Sequence, residues 1–339
     1  MDIRKNSTIY IIAEAGVNHN GDITIAKKLV DEAKKAGADA IKFQTFQTED
    51  LVSEKAKKAE YQKINTKSEE NQKDMLKKLE LSKEEFRELF EYCKEKDIIF
   101  LSTPFDVGSI EFLESLGVLL FKIPSGEIDN LPYLRRMSQC KKPIILSTGM
   151  SNYEEIENAL NILKKEIRKE DIVILQCTTD YPAKPEDINL RVMEEMKKRF
   201  SMEVGLSDHS EGIEISLAAV ALGARVIEKH FTLSKDMEGP DHKASLTPTE
   251  FKSLVIGIRK IEMALGNGIK TSTKMEEKNK QLVRKSIVAK CRIKKGELFT
   301  ENNITTKRPG DGISPMEWDD IIGSVASKSY EKDQQIERR

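Results

Sequence analysis

The sequence predicts an α/β protein: a closed (β/α)8 TIM barrel followed by a small, β-rich C-terminal domain. Short apolar runs typical of strands alternate with amphipathic helical stretches through most of the chain, and eight such repeats are present. No Gly-x-Gly-x-x-Gly turn follows the first run, which disfavours the alternative architecture, an open doubly wound sheet. After about residue 267 the spacing of the apolar residues changes, which indicates a second domain.

The predicted strands are short, β-rich apolar runs. They are Ile9–Ala13, Ala40–Phe43, Ile98–Leu101, Leu119–Ile123, Pro143–Leu146, Ile172–Leu175, Glu203–Leu206 and Val226–Glu228. Amphipathic patterns predict helices between them, including Ile25–Ala36, Lys83–Lys96, Tyr153–Ile167 and Gly212–Leu222. Gly37, Gly117 and Gly223 each follow a helical run, where a residue that tolerates the left-handed conformation is favoured.

We assign residues 1–267 to the barrel, 268–285 to a linker or exposed helix, and 286–339 to the small domain. The 268–285 stretch is polar and rich in Lys and Glu, whereas the last part of the chain has short strands around the turn Lys294-Lys295-Gly296-Glu297. The segment Asp50–Lys78 is long and charged for a barrel loop, which indicates a functional or interface role.

The composition excludes several classes of protein. Lys and Arg total 56 against 57 for Asp and Glu, a balance that disfavours nucleic acid as the main partner. The four cysteines are scattered without metal-type spacing and suit a reducing compartment. The chain begins without a signal-peptide pattern, and no apolar run is long enough to span a bilayer. We therefore expect a cytoplasmic protein with no membrane partner.

A barrel carries its active site at the carboxyl ends of its strands, and polar side chains follow nearly every predicted strand. Lys42 and Lys122, together with the hydroxyls of Thr103, Ser125 and Ser147, predict a site for a small phosphorylated acid. Two alternatives stay open for these lysines. One is an ion pair with a neighbouring carboxylate, and the other is a Schiff base with a carbonyl substrate.

The four histidines are a second sign of chemistry. His209 and His230 follow the seventh and eighth predicted strands, and together they predict a metal site with open coordination positions. Imidazole ligands favour Zn, Fe or Ni, whereas Mn or Mg becomes acceptable if substrate oxygens and waters complete the shell. His19 and His242 lie in loops at the same face, where we expect structural support or sugar contact.

Three acids complete the inventory of candidate residues. Glu14 and Glu127 lie at strand ends, where a carboxyl group can transfer protons, and Asp241 is a candidate for binding substrate hydroxyls.

These motifs together resemble those of the sialic acid synthase family, which condenses phosphoenolpyruvate with an N-acetylated amino sugar. The resemblance covers essentially the whole chain, and its C-terminal part is similar to the antifreeze-like (SAF) domain of these synthases. The motifs are Ile12-Ala13-Glu14-Ala15-Gly16-Val17-Asn18-His19-Asn20-Gly21, Lys42-Phe43-Gln44-Thr45-Phe46, Ser102-Thr103-Pro104-Phe105, Phe121-Lys122-Ile123-Pro124-Ser125-Gly126-Glu127, Leu146-Ser147-Thr148-Gly149-Met150, Gly205-Leu206-Ser207-Asp208-His209, Glu228-Lys229-His230-Phe231-Thr232-Leu233, Gly239-Pro240-Asp241-His242-Lys243-Ala244-Ser245 and Lys307-Arg308-Pro309-Gly310.

The resemblance implies a role for each candidate residue. It implies manganese, with magnesium or cobalt as alternatives, bound by His209 and His230. The residues implied for phosphoenolpyruvate are Lys42, Thr103, Lys122, Ser125 and Ser147. Those implied for the amino sugar are Glu14, Gln44, Tyr181 and Asp241. Thr179 also belongs to the phosphate site, although several relatives have asparagine there. Arg308 is expected to reach the partner's active site in a domain-swapped homodimer and to bind the N-acetyl group.

The resemblance implies a C–C bond-forming transferase with one of two sugars as substrate. N-acetylmannosamine, giving N-acetylneuraminate, is the first expectation, because Lys58-Ala59-Glu60-Tyr61-Gln62 and Gly312-Ile313-Ser314-Pro315-Met316-Glu317-Trp318 look more like that branch. The alternative is 2,4-diacetamido-2,4,6-trideoxymannose, giving N,N'-diacetyllegionaminate. A non-catalytic sugar- or ice-binding module would leave the polar residues at the strand ends unexplained.

Overall fold

The computed structural model describes residues 8–59, 62–63 and 70–338. The chain divides into two compact units, Met1–Gly266 and Asn267–Arg339. Two features of the sequence lie outside the described residues. One is the first part of the N-terminal segment, where no signal peptide is expected, and the other is the pair Glu60-Tyr61 used to compare the two sugars.

The first unit contains a sheet of eight parallel strands. The strands are β1 (Tyr10–Gly16), β2 (Ala40–Thr45), β3 (Ile99–Pro104), β4 (Phe121–Ile123), β5 (Ile144–Ser147), β6 (Ile172–Cys177), β7 (Glu203–Asp208) and β8 (Val226–His230). Their hydrogen-bonded order is β3-β2-β1-β8-β7-β6-β5-β4, and β3 and β4 pack against each other to close the barrel. The predicted barrel and its eight strands are confirmed.

Most strands continue two or three residues beyond their predicted carboxyl ends. The prediction stopped where apolar residues gave way to polar ones, yet β1 includes Glu14 and β8 includes His230. These polar residues keep the strand conformation because their backbone groups remain paired in the sheet. The site residues are therefore part of the rigid sheet, not of the loops that follow it.

Helices follow the strands, and their ends have clear chemical causes. The helix Ile23–Ala36 begins at Asp22, whose side chain accepts from the backbone of Thr24 and Ile25, and ends at Gly37 with φ 91°. The other helices of this unit are Thr48–Leu51, Gln72–Leu79, Lys83–Glu95, Val107–Leu116, Leu131–Gln139, Tyr153–Leu163, Pro185–Ile188, Val192–Phe200, Glu214–Ala221 and Pro248–Leu265.

Side chains alternate between the two faces of each strand, which divides the core of the first unit into two parts. One face packs beneath the helices, as Ile11, Ile41 and Phe43 do. The other face fills the barrel with an apolar floor. This floor consists of Tyr10, Ile12, Ala40, Leu101, Leu120, Ile145, Val173, Leu175 and Val226.

The second unit has its own small core, which includes Ile287, Phe299 and Tyr330. Strand β9 (Ser286–Ala289) pairs antiparallel with β10 (Ile304–Lys307), and a short helix, Trp318–Ile321, follows. The predicted linker contains the helix Lys274–Val283 and belongs to this unit. Among the described residues, no helix is both long and apolar enough to cross a membrane.

Candidate active site

Polar side chains extend into the barrel just above the apolar floor. Because residues i and i+2 of a strand share a face, Glu14 lies above Ile12, and Lys42 lies above Ala40. Together with residues from the loops they line a cavity of about 260 Å³. Eleven predicted site residues line it: Glu14, Lys42, Gln44, Thr103, Lys122, Ser125, Ser147, Thr179, Tyr181, His209 and His230.

Lys42 is the centre of a buried charged cluster. Its Nζ lies 2.6 Å from Glu14 Oε2 and 3.7 Å from Glu228 Oε2, and it donates to Thr103 Oγ1 at 3.0 Å. Burial alone would lower the pKa of Lys42, but the two carboxylates raise it above its ordinary value. Lys42 is therefore a fixed positive charge. The expected ion pair and the expected place in the cavity are both present.

Lys122 is the second ammonium group in the cavity. It donates to Ser147 Oγ at 2.6 Å and to the carbonyl oxygen of Ile123 at 3.2 Å, and its Nζ lies 3.8 Å from Glu228 Oε1. Burial lowers the pKa of Lys122, and the attraction of Glu228 offsets only part of this effect. The two lysines thus share Glu228, while Glu14 pairs with Lys42 alone.

Glu228 is a cavity residue that the sequence reasoning missed. Its Oε1 accepts from Ser207 Oγ at 2.9 Å, while Oε2 has no hydrogen-bond partner among the described residues. Burial would raise the pKa of Glu228, but Lys122 and Lys42 lower it below the ordinary value. The signal was available, because Glu228 lies two residues before His230 and therefore faces the same way. Ser207 and Cys177 were missed for the same reason.

Lys229 lies next to His230 at the end of the eighth strand, but it does not line the cavity. Alternation turns it to the outer face of the barrel, where it pairs with Asp208.

His209 and His230 meet across the cavity. Their ring centroids are 5.4 Å apart, and Tyr181 packs against both, stacked on His209 at 4.2 Å and edge-on to His230 at 5.5 Å. His209 Nδ1 lies 2.7 Å from the carbonyl oxygen of Thr178, a contact that requires a proton on Nδ1, and its Nε2 lies 3.4 Å from Ser207 Oγ. Burial lowers the pKa of His230 well below its ordinary value, so that this imidazole is neutral.

The other two histidines are held by hydrogen bonds within the fold, in line with the structural support that is one of the two roles expected for them. His242 is buried, with Nδ1 2.7 Å from Thr232 Oγ1 and Nε2 3.2 Å from Asn20 Oδ1. His19 Nδ1 accepts from the backbone N–H of Gly21 at 3.1 Å. Burial lowers the pKa of each to about 4. Neither residue lines the cavity.

The three predicted acids lie in different surroundings. Burial raises the pKa of Glu14 to about 7 despite the nearby Lys42, a value suited to proton transfer near neutral pH. Burial raises the pKa of Asp241 to about 6. Asp241 lines a neighbouring cavity of about 580 Å³ together with Gln44, Tyr181 and His230. Glu127 accepts from Asn130 Nδ2 at 2.6 Å and lines neither cavity, so its catalytic role stays a prediction.

Gly149 permits a close approach of Ser125 and Thr179, two residues that line the 260 Å³ cavity. A Cβ at this position would lie 2.2 Å from Thr179 Oγ1 and 2.9 Å from Ser125 Oγ. The backbone N–H of Gly149 donates to Ser125 Oγ at 2.8 Å. This arrangement gathers hydroxyl and amide groups where the phosphate contacts are expected. Arg308 belongs to the second unit and is exposed, and its role at a partner's site stays a prediction.

Residues 29–270 match the model of the NeuB family, and residues 284–337 match the SAF domain. The chain belongs to the NeuB family. The resemblance stated from the motifs is confirmed, and so is the small SAF domain at the end of the fold.

Three relatives show how this NeuB-family protein compares with known ones. It is 55% identical to the N,N'-diacetyllegionaminic acid synthase of Campylobacter jejuni, over 96% of this chain and 98% of that protein. It is 47% identical to the protein of the same name in Legionella pneumophila, over 94% and 91% of the two chains. The crystal structure of the N-acetylneuraminic acid synthetase of Leptospira borgpetersenii in complex with citrate superposes with a TM-score of 0.72 at 37% identity, covering 80% of this chain and 90% of that one.

Proposed function

We propose that this protein is an N,N'-diacetyllegionaminate synthase, which condenses phosphoenolpyruvate with 2,4-diacetamido-2,4,6-trideoxymannose. The observation that carries the reaction class is the cavity in which two buried lysines, two buried glutamates and two imidazoles meet. The choice of sugar rests on similarity: two relatives that carry the legionaminic acid name are 55% and 47% identical, against 37% for the Leptospira neuraminic acid synthetase. Similarity thus favours the alternative sugar over N-acetylmannosamine.

Phosphoenolpyruvate would bind between the two lysines. Lys42 and Lys122 supply positive charge for its phosphate and carboxylate, and the hydroxyls of Thr103 and Ser147 already touch those ammonium groups. Because Glu14 and Glu228 hold the two lysines in place, little side-chain ordering is needed when the anion arrives. Ser125, Thr179 and the edge at Gly149 would complete the phosphate contacts.

The donor groups of the cavity fit a divalent metal. Because Nδ1 of His209 is engaged with Thr178, its Nε2, which lies 3.4 Å from Ser207 Oγ, would be the nitrogen that binds the metal, and the buried Nδ1 of His230 has no hydrogen-bond partner in the described part of the chain. No cluster of three or more His, Cys, Asp or Glu side chains suited to a metal occurs among the described residues, so substrate oxygens and water would supply the other ligands. Bound there, a manganese, magnesium or cobalt ion would act as a Lewis acid on the sugar carbonyl.

The reaction balances without a further co-reactant. The C3 carbon of phosphoenolpyruvate attacks the aldehyde carbon of the open-chain sugar, forming the new C–C bond, and the aldehyde oxygen takes up a proton. Water adds to C2 of the former phosphoenolpyruvate, and the resulting tetrahedral intermediate expels phosphate by cleavage of the C–O bond. Glu14, in contact with Lys42 and with Gln44 Nε2 at 3.5 Å, would transfer the proton at the sugar or at the water.

A phosphate-release assay tests this proposal. The protein is incubated with phosphoenolpyruvate and either the diacetamido sugar or N-acetylmannosamine, with and without EDTA. We expect metal-dependent phosphate release with kcat/KM higher for the diacetamido sugar. A higher kcat/KM for N-acetylmannosamine would instead support N-acetylneuraminate synthase activity. EDTA-insensitive activity, with covalent trapping of pyruvate by borohydride, would instead support a Schiff-base lysine such as Lys122.

A further inference from the structure

The 580 Å³ cavity continues from the predicted catalytic residues toward an apolar surface. It shares Gln44, Tyr181 and His230 with the smaller polar cavity, so one ligand can extend through both. Its lining includes six apolar side chains, Phe46, Leu51, Met75, Leu76, Leu79 and Phe105, which we call the apolar wall, and it also includes Gln62 and Gln72. Phe46 and Phe105 belong to the motifs quoted above, whereas Leu51, Met75, Leu76 and Leu79 lie outside them.

The apolar wall is built by the long insertion between β2 and β3. The helix Gln72–Leu79 places Met75, Leu76 and Leu79 on one face, because residues three and four positions apart lie side by side on a helix, as Leu76 and Met75 do with Leu79. Thr48 Oγ1 donates to Glu80 Oε2 at 2.7 Å, which joins the helix Thr48–Leu51 to the end of this helix. Phe46 and Phe105 pack edge to face at 6.5 Å behind it.

The loop after β1 also fixes the insertion. At Gly21 a Cβ would lie 2.4 Å from the carbonyl oxygen of Lys78, so that only glycine allows this close approach. The insertion is therefore tied to the barrel at several points, and its apolar side chains hold a defined position beside the cavity.

The charges around the same cavity are acidic. Asp180 and Asp241 line it, whereas no lysine or arginine does so among the described residues. A phosphate group on the sugar would thus meet these two carboxylates, and the described lining residues include no cation to balance them. A hydroxyl group held against the apolar wall would lose its hydrogen bonds to water.

We propose that the apolar wall binds the deoxygenated part of the sugar, its C6 methyl and the methyl of its second acetamido group, and so selects a 6-deoxy sugar over one with a C6 hydroxyl or phosphate. The inference rests on the proposed function for its reaction and names the residues that choose the substrate. Recognition of a single methyl or methylene group in an apolar pocket changes kcat/KM by about 10- to 200-fold.

The test compares N-acetylmannosamine with its 6-deoxy analogue, a pair that differs only at C6. Phosphate release gives kcat/KM for each sugar in the wild type and in Leu76→Asn. We expect the wild type to prefer the 6-deoxy sugar by about 10-fold or more and the variant to lose most of this preference, with KM for phosphoenolpyruvate unchanged. Leu116→Asn is the matched control and should keep the preference. Leu116 is also half-buried, but it ends the helix Val107–Leu116 and packs against the main hydrophobic core, away from the apolar wall.

Two results would overturn the role of the apolar wall: a wild type that favours the 6-hydroxy sugar, or a folded Leu76→Asn variant with an unchanged ratio. If Leu76→Asn does not fold, Leu51→Asn on the neighbouring helix serves instead, and it should also lose most of the preference for the 6-deoxy sugar. Failure of the proposed function looks different. A wild type that turns over N-acetylmannosamine faster than the diacetamido sugar contradicts that assignment, yet a 6-deoxy preference that disappears in Leu76→Asn would still support the wall.

Discussion

Asp208 and Lys229 form a buried ion pair directly behind the two histidines of the cavity. Lys229 Nζ lies 2.8 Å from Asp208 Oδ2, and neither side chain is exposed. The two residues are partners across β7 and β8, and each immediately precedes one of the histidines, His209 and His230. Because neighbours on a strand point to opposite faces, this pair lies on the outer face of the barrel while the two histidines point into the cavity.

Removing one member of this pair should destabilise the barrel strongly. Lys229→Met leaves Asp208 charged and buried, so we expect a loss of about 3–5 kcal/mol in the free energy of unfolding. Urea unfolding followed by circular dichroism measures it, and the double variant with Asp208→Asn should recover part of the loss. Lys198→Met, which breaks an exposed pair with Glu194, is the control and should leave the midpoint unchanged. Equal midpoints for Lys229→Met and the wild type would contradict this account.

Lys122 should contribute more to binding phosphoenolpyruvate than to binding the sugar. Its ammonium group, held by Ser147, is replaced in Lys122→Met by an apolar group, and a charged hydrogen bond is worth about 1.5–3 kcal/mol. We expect KM for phosphoenolpyruvate to rise by about 10- to 150-fold in steady-state assays. Lys142→Met is the matched control, because that lysine donates to the carbonyl oxygen of Val118 at the opposite end of β5. A larger effect on the sugar KM would argue against this role.

His209 and His230 should be required for metal binding, whereas His19 should not. Loss of either imidazole removes half of the protein donors, so we expect Mn²⁺ affinity to fall by at least about 100-fold in His209→Ala and His230→Ala, as measured by equilibrium dialysis. His19→Gln changes a buried histidine that accepts from Gly21 outside the cavity, and it should bind the ion normally. Retention of wild-type affinity by both alanine variants, with circular dichroism unchanged, would exclude this site.

Acid should destabilise the barrel partly through His19. Its pKa is about 4 in the folded protein, because it is buried, against 6.5 in the unfolded chain. Between these values the unfolded chain binds a proton that the folded chain does not, so stability is complete above pH 6.5 and is lost as pH falls toward 4. The difference amounts to on the order of 3 kcal/mol. Unfolding midpoints of His19→Gln should therefore fall less between pH 7 and pH 4 than those of the wild type. Parallel curves would contradict the assignment.

The barrel and most of its cavity follow from the sequence because one physical rule governs both. Strands buried on two faces read as apolar runs, and the polar residues that interrupt them at the carboxyl end must face the interior or the helices. Glu228 was missed and Lys229 was grouped with the strand ends because the alternation of inward and outward side chains was not carried back along the strand from His230. The apolar wall was not predictable. Met75 and Leu76 border a cavity only because the insertion folds back over the barrel, a contact between residues far apart in the chain.

Gly149 should be essential for the geometry of the predicted phosphate contacts but not for folding. In Gly149→Ala the new Cβ would lie 2.2 Å from Thr179 Oγ1 and 2.9 Å from Ser125 Oγ, so both hydroxyls must move. We expect KM for phosphoenolpyruvate to rise by about 10-fold, the effect of losing one neutral hydrogen bond of about 1 kcal/mol together with a misplaced neighbour. Gly126→Ala is the matched control, because a Cβ at Gly126 meets no atom within 4 Å although it lines the same cavity. Steady-state kinetics on both variants, with thermal unfolding to verify the fold, measures the contrast. Equal KM values for the two would show that Ser125 and Thr179 take no part in binding phosphate.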